Sequence, residues 1–204
     1  MTIPWFMESK RSRVPLAVMG VVAVMAATLA TLAGCQSMTT ASAWKRTVKR
    51  DLPLYGDRNW IAVVDSAYPD QSRPGVTTIN TNRGMFYTLK FVLAKIAQAP
   101  NIRPVAYTDR ELNYVTDAQT PGIRAYRQKL DAMLAASGVP HEQRMHIHSI
   151  HRLNADGKLF NILIIKTNLI MPYTSVFIHL KCGYWTDADE LQLRKIIARS
   201  AAGK

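Results

Sequence analysis

All five histidines of this chain lie between positions 141 and 179: His141, His146, His148, His151 and His179. An imidazole titrates near pH 6.5 and can carry a proton or bind a metal, so this stretch is where chemistry is sought first. On a strand over residues 144–150, His146 and His148 would face one way. A His-x-His pair suits zinc, but a zinc site also needs a third protein ligand and an open position. Hydrogen-bonded structural histidines and a catalytic or substrate-binding histidine are the other two readings, and no metal is assigned.

Two further segments carry polar groups at sheet edges. In NWIAVVDSAYP an apolar, β-branched run ends at Asp65, which places a carboxylate at the C-terminal edge of a strand. Open α/β folds hold their ligands at that edge. In IIKTNLIMPYTSVFIHL the pair Pro172-Tyr173 opens a strand, and a tyrosine there can aim its hydroxyl into a cleft. Taken singly, Asp65 could cap a turn and Tyr173 could be a core aromatic with a satisfied hydroxyl. Arg144 and Lys166 are candidate cleft charges by position alone. The chain has no GxxxxGK[ST], GxGxxG, GxSxG, CxxC or HExxH, which weakens the kinase, dehydrogenase, serine-hydrolase and zinc-protease readings.

The elements that must position these groups alternate between two periods. Residues 59–66, 160–168 and 173–180 read as buried strands, with shorter ones at 76–80, 102–107 and 144–150. Phe86, Leu89, Val92, Leu93 and Ile96 recur at helical spacing within residues 84–97. A second helix starts at Pro121 and stops at Gly138 and Pro140. Thr186 with Asp189 three residues on resembles a capping box, and the helix that follows to about Arg199 turns Leu191, Leu193, Ile196 and Ile197 inward. Strands separated by helices of this length predict an α/β fold: a three-layer α/β/α sandwich with a largely parallel sheet, preceded by an N-terminal signal or anchor helix.

The Gly56-led strand ending in Asp65 with its Ala-x-Pro turn, and the late I-K-x-x-x-x-x-P-Y segment, together resemble the D-ribose pyranase and L-fucose mutarotase family over residues 53–181. The resemblance implies a three-layer α/β sandwich, ring-shaped homo-oligomers, and interconversion of the ring forms or anomers of a free monosaccharide without a cofactor. The family's substrate-binding Asp falls on Asp65 and its Tyr on Tyr173. Its Asn two residues further on is Ser175 here. Its His, 22 residues before the Tyr, falls on His151, or on His141 within His141-Glu142-Gln143 if a gap is allowed. The family's catalytic His, eight residues before the Asp, is replaced by Asp57.

That replacement matters because mutarotation needs a proton carrier with a pKa near ambient pH. One group takes the anomeric hydroxyl proton while another protonates the ring oxygen. An unperturbed Asp at about 3.9 is a weak base with no proton to give at neutral pH, and Arg58 beside Asp57 opposes any rise. Either Asp57 is a retuned base, or His151 does the work, or sugar binding survives without catalysis.

The N-terminus reads as an address. Lys10, Arg11 and Arg13 precede 21 uncharged residues, 14–34, long enough to cross a bilayer. The run ends in Leu32-Ala33-Gly34-Cys35, which resembles a bacterial lipobox, so Cys35 is the expected lipidation site. Residues 1–34 are then the signal, 35–52 the lipidated cysteine and a basic linker, and 53–204 the mutarotase-like domain. The expected location is the cell envelope, anchored in a membrane and facing the periplasm or exterior, with Gln36 favouring the outer membrane. Several acyl chains hold better than one, since each buried CH₂ contributes about 0.8 kcal/mol. Cys182 would be the one remaining thiol and reads as a small buried hydrophobe.

The 204-residue chain carries a net charge of +12, and loss of residues 1–34 leaves +10. In a cytosolic protein this would suggest nucleic acid. Export argues against that partner, and Lys45, Arg46, Lys49 and Arg50 suit an anionic bilayer or a solvated tether. The leading expectation is therefore a membrane-tethered sugar mutarotase. Its alternatives are a non-catalytic sugar-binding lipoprotein on the same scaffold and an envelope-interaction protein.

Overall fold

The computed structural model describes residues 43–202. The expected signal, Cys35 and Gln36 lie outside the described residues. The chain runs through α1 (43–51), β1 (Trp60–Val64), β2 (Val76–Asn80), α2 (Met85–Ile96), β3 (Ile102–Asp109), α3 (Ile123–Ser137), β4 (His141–Arg144), α4 (His146–Asp156), β5 (Ile162–Lys166), β6 (Val176–Cys182) and α5 (Asp187–Ala202), with short 3₁₀ turns at Leu52–Leu54 and Arg110–Asn113. Among the described residues no helix is long and apolar enough to cross a membrane.

The strands form one sheet in the order β2-β5-β1-β6-β3-β4. β5 pairs parallel with β1 and β2, and β3 with β4, while β6 is antiparallel to both β1 and β3. Every residue of β1 is buried, as is most of β5 and β6, because helices cover both faces. The polar strands VTTIN and HEQR take the two edges, where a side chain can remain in water.

The period of two divides the apolar strand residues between two cores. Ile61, Val63, Leu163, Ile165, Ile178 and Leu180 pack against α1, α2 and α3. Trp60, Ala62, Val64, Ile164 and Phe177 pack against Leu153 of α4. The result is the expected three-layer α/β sandwich with a mostly parallel sheet.

Several local expectations change. The basic linker is helical over its described part: Trp44 and Val48, one turn apart, are buried, and Lys45 donates to the Tyr87 hydroxyl at 2.6 Å. The strand expected over 144–150 is the start of α4, because β4 ends at Arg144 and the tract from His146 buries Ser149 and Leu153 at helical spacing. β6 begins at Val176, which leaves Tyr173 in the preceding turn. The capping contact is made: Asp189 N–H donates to Thr186 Oγ1 at 3.1 Å, and Thr186 N–H donates to Asp189 at 2.8 Å. The helix it starts does not turn its apolar residues inward, however, and Leu191, Leu193, Ile196 and Ile197 are all exposed.

Candidate functional site: the carboxyl ends of β1 and β3

The connection from β5 to β6 builds one side of the site. β1 lies between these strands, so residues 167–175 must cross above the end of β1. Thr167 is fixed there, its N–H and its Oγ1 both donating to Val64 O at 2.9 Å, and Ser66 N–H donates to Leu169 O at 2.8 Å. The Tyr126 hydroxyl donates to Thr174 O at 3.0 Å, which holds the far end of the crossing. Asp65 Oδ1 accepts from Ala67 N–H at 2.8 Å, and its Oδ2 lies 3.4 Å from the buried Ser175 hydroxyl, a long contact that a better donor could displace. Tyr173 has φ 55°, in the left-handed region, and is 41% exposed. A tyrosine costs about 1–2 kcal/mol in that conformation, and such residues collect at functional sites.

The second side comes from β3, which also ends in a carboxylate. Asp109 is buried, and its Oδ2 lies 2.8 Å from His146 Nδ1. Burial pushes the Asp109 carboxyl up, against the opposing hydrogen bond from His146. Its Oδ1 is buried with no hydrogen-bond partner among the described residues. The hydrogen bond to Asp109 pushes His146 up, against partial desolvation. Both directions have one meaning: the pair keeps its proton to higher pH than its separate members would. With Nδ1 engaged as donor, the assigned tautomer leaves the Nε2 lone pair as the base. The Tyr173 ring stands edge-on to the imidazole at 5.7 Å between centroids.

His146 is held by its backbone as well. It opens α4, whose free N–H groups need acceptors. His146 N–H reaches both carboxylate oxygens of Glu111 at 2.9 Å. Glu111 thus supplies the cap that Met145, at the N-cap position, does not.

The structure brings together Asp65, Tyr173 and Ser175, expected as substrate-binding residues, with His146 of the histidine-rich stretch. It places the others elsewhere. Asp57 precedes β1 and is exposed beside Arg58 at 3.5 Å, so at least about 16 Å of strand separates it from Asp65. His151 is exposed on α4, away from the buried Ser149 and Leu153. His141 is exposed at the start of edge strand β4, level with Ala106 rather than Asp109. Arg144 lies over the Tyr107 ring at 3.7 Å and pairs with Glu142. Cys182 is half-buried at the end of β6.

Asp109 and Glu111 are the residues that the sequence reading missed. A signal for the first was present: IRPVAYTD, like WIAVVD, is an apolar strand closed by an aspartate. Nothing local marks Glu111, because its partner is 35 residues away.

No family model matches this chain, and no curated protein matches it. Among solved structures it is similar to Bacillus subtilis RbsD complexed with D-ribose, at 14% sequence identity and a TM-score of 0.46, over 66% of this chain and 91% of that one. A likeness of this size assigns neither an activity nor a ligand to this chain.

Proposed function

We propose that this chain is a lipid-anchored sugar mutarotase or pyranase-like protein that opens and recloses the ring of a free monosaccharide by acid/base chemistry. The observation that carries the reading is the Asp109–His146 pair set beside Asp65, Ser175 and Tyr173 at the carboxyl ends of the strands. The lipid anchor rests on the sequence Leu32-Ala33-Gly34-Cys35 alone.

In this mechanism Asp65 and Ser175 hold sugar hydroxyls. His146 Nε2 takes the proton from the anomeric hydroxyl, O1 becomes a carbonyl, and the C1–O5 bond breaks. The Tyr173 hydroxyl gives its proton to O5. Rotation about C1–C2 presents the other face of the carbonyl. O5 then attacks C1, its proton returns to Tyr173, and the proton on His146 returns to O1. Asp109 keeps the imidazole oriented and stabilises its protonated form, and Glu111 fixes the backbone that carries it. His146 thereby fills the role left open by Asp57.

The test is saturation-transfer NMR on the full chain with D-ribose, L-fucose and other free monosaccharides, following exchange between ring forms. We expect exchange above the buffer rate, reduced about 10²–10⁴-fold in His146→Gln. Binding without acceleration would refute the enzyme and leave a sugar-recognition protein. Neither binding nor acceleration with any sugar would refute both.

A further inference from the structure

The net charge of the chain is unevenly placed. α1 carries four basic residues and one acidic, α2 two and none, and α3 three and one, so these helices together hold +7. α4 has one of each and α5 three of each, and both are neutral. α1, α2 and α3 bury their apolar sides in one core, against one face of the sheet. Their opposite sides therefore make a common basic outer surface.

Much of that charge is left uncancelled. Asp51 pairs with Arg50, Asp117 with Arg124, and Arg127 turns inward to Leu112 O and Val115 O. Lys45, Lys95 and Lys129 meet neutral groups: the Tyr87 hydroxyl at 2.6 Å, Gln98 at 2.7 Å and the Phe86 ring at 4.6 Å. Lys49 and Lys90 are exposed. Between the cations the surface is apolar. A groove of about 750 Å³ between α2 and α3 is lined by Leu93, Ala97, Met133 and Ala136 beside Lys90, and Tyr87 is 52% exposed beside Lys45.

We propose that this α1–α2–α3 surface docks on an anionic lipid bilayer and so holds α4, with His146 at its start, on the side facing water. Each cation near such a surface adds attraction to the anionic headgroups. A tyrosine and an apolar groove among the cations suit the boundary beneath those headgroups. A nucleic acid would answer the charge and leave the groove unmatched. The tether has the right length. Ala43, at the start of α1, is eight residues from Cys35, a reach of at most about 28 Å, or roughly one domain width. That last point rests on the lipid-anchor reading; the charge and the groove do not.

The test carries a fluorophore on Ala94→Cys of α2 or on Ala155→Cys of α4, in a Cys182→Ser full chain, with Cys182→Ser alone as the control for Cys35. Vesicles are phosphatidylcholine, with or without about one-third phosphatidylglycerol, and bear a nitroxide quencher on their acyl chains. We expect the Ala94→Cys label to be quenched on anionic vesicles and the Ala155→Cys label to be spared, with the difference lost on neutral vesicles or at high salt. Lys49→Gln with Lys90→Gln should lower the docking constant about thirtyfold. No quenching on α2, equal quenching on both helices, or quenching indifferent to lipid charge would overturn the proposal. Tighter binding to a random-sequence DNA duplex than to anionic vesicles would overturn it in favour of nucleic acid. Flotation separates the anchor from the docking surface. A chain that floats with both vesicles but is unquenched on α2 keeps the anchor and refutes the surface. One that floats with anionic vesicles alone, quenched on α2, refutes the anchor and supports the surface. One that floats with neither refutes both.

Discussion

The two ends of the central strands each hold a histidine next to an aromatic ring and near a carboxylate, yet the two are chemically opposite. At the carboxyl end His146 is partly exposed, hydrogen-bonded to Asp109 and pushed up in pKa by that bond. At the amino end of β1, His179 is buried and stacked on Trp60 at 4.4 Å, and its Nε2 has no hydrogen-bond partner among the described residues. Burial pushes its pKa down, with Arg152 adding to the effect. The nearby Asp156 is already engaged by the Trp60 indole at 2.8 Å and by Arg152 at 2.9 Å. A buried imidazole with no acceptor to hold its proton behaves as a packing group. One with an acceptor on Nδ1 and a partly exposed ring is placed to exchange a proton. Burial by itself therefore does not mark a candidate proton carrier; the partner does.

The largest effect on stability should come from His179→Ala. It removes a ring from the Trp60 stack and should cost about 2–4 kcal/mol in denaturant unfolding, while ring-form exchange in the folded protein stays near native. Loss of exchange with stability intact would invert the assignment of the two ends.

Next comes Asp109→Asn. It removes the main cause of the raised His146 pKa, so the imidazole should titrate at lower pH by NMR. The sign follows for the rate: the neutral imidazole is the base, exchange falls as pH drops through its pKa, and this acid limb should move to lower pH. A limb that stays in place would remove His146 from the mechanism.

The smallest effect on stability should be that of Tyr173→Gly. It relieves the left-handed backbone and should raise unfolding stability by about 1 kcal/mol or less, while slowing exchange by removing the hydroxyl. A stabilised variant with native exchange would show that the strain at Tyr173 serves no chemistry.

Much of the architecture was legible in local pattern. VTTIN is a strand at the expected bounds, α2 and α3 lie within the stretches given by their apolar spacing, and Gly138, at φ 67°, ends α3 in the left-handed conformation that a glycine adopts without penalty. The tract from Arg144 to Ile150 misled because MHIHSI alternates like a strand, while continued spacing through Leu153 makes a helix. That error hid His146, since a strand would have paired it with His148 on one face. On the helix His148 is exposed, while His146 turns to Asp109. In α5 the helical period was correct but the direction of its apolar face was not, because periodicity shows that a face exists and says nothing of what covers it.

What the sequence by itself determined is the helices α2, α3 and α5 and the strands β1, β2, β3, β5 and β6, with an aspartate following β1 and another closing β3, because each follows from interactions within a few residues. The tertiary structure decided which of those carboxylates meets a histidine. Strand order carries residues 167–175 across β1 and brings α4 over β3, and Asp109, 37 residues before His146, becomes its partner only when β3 and β4 pair. Hydrogen bonds of that kind depend on distances in space that no spacing along the chain encodes.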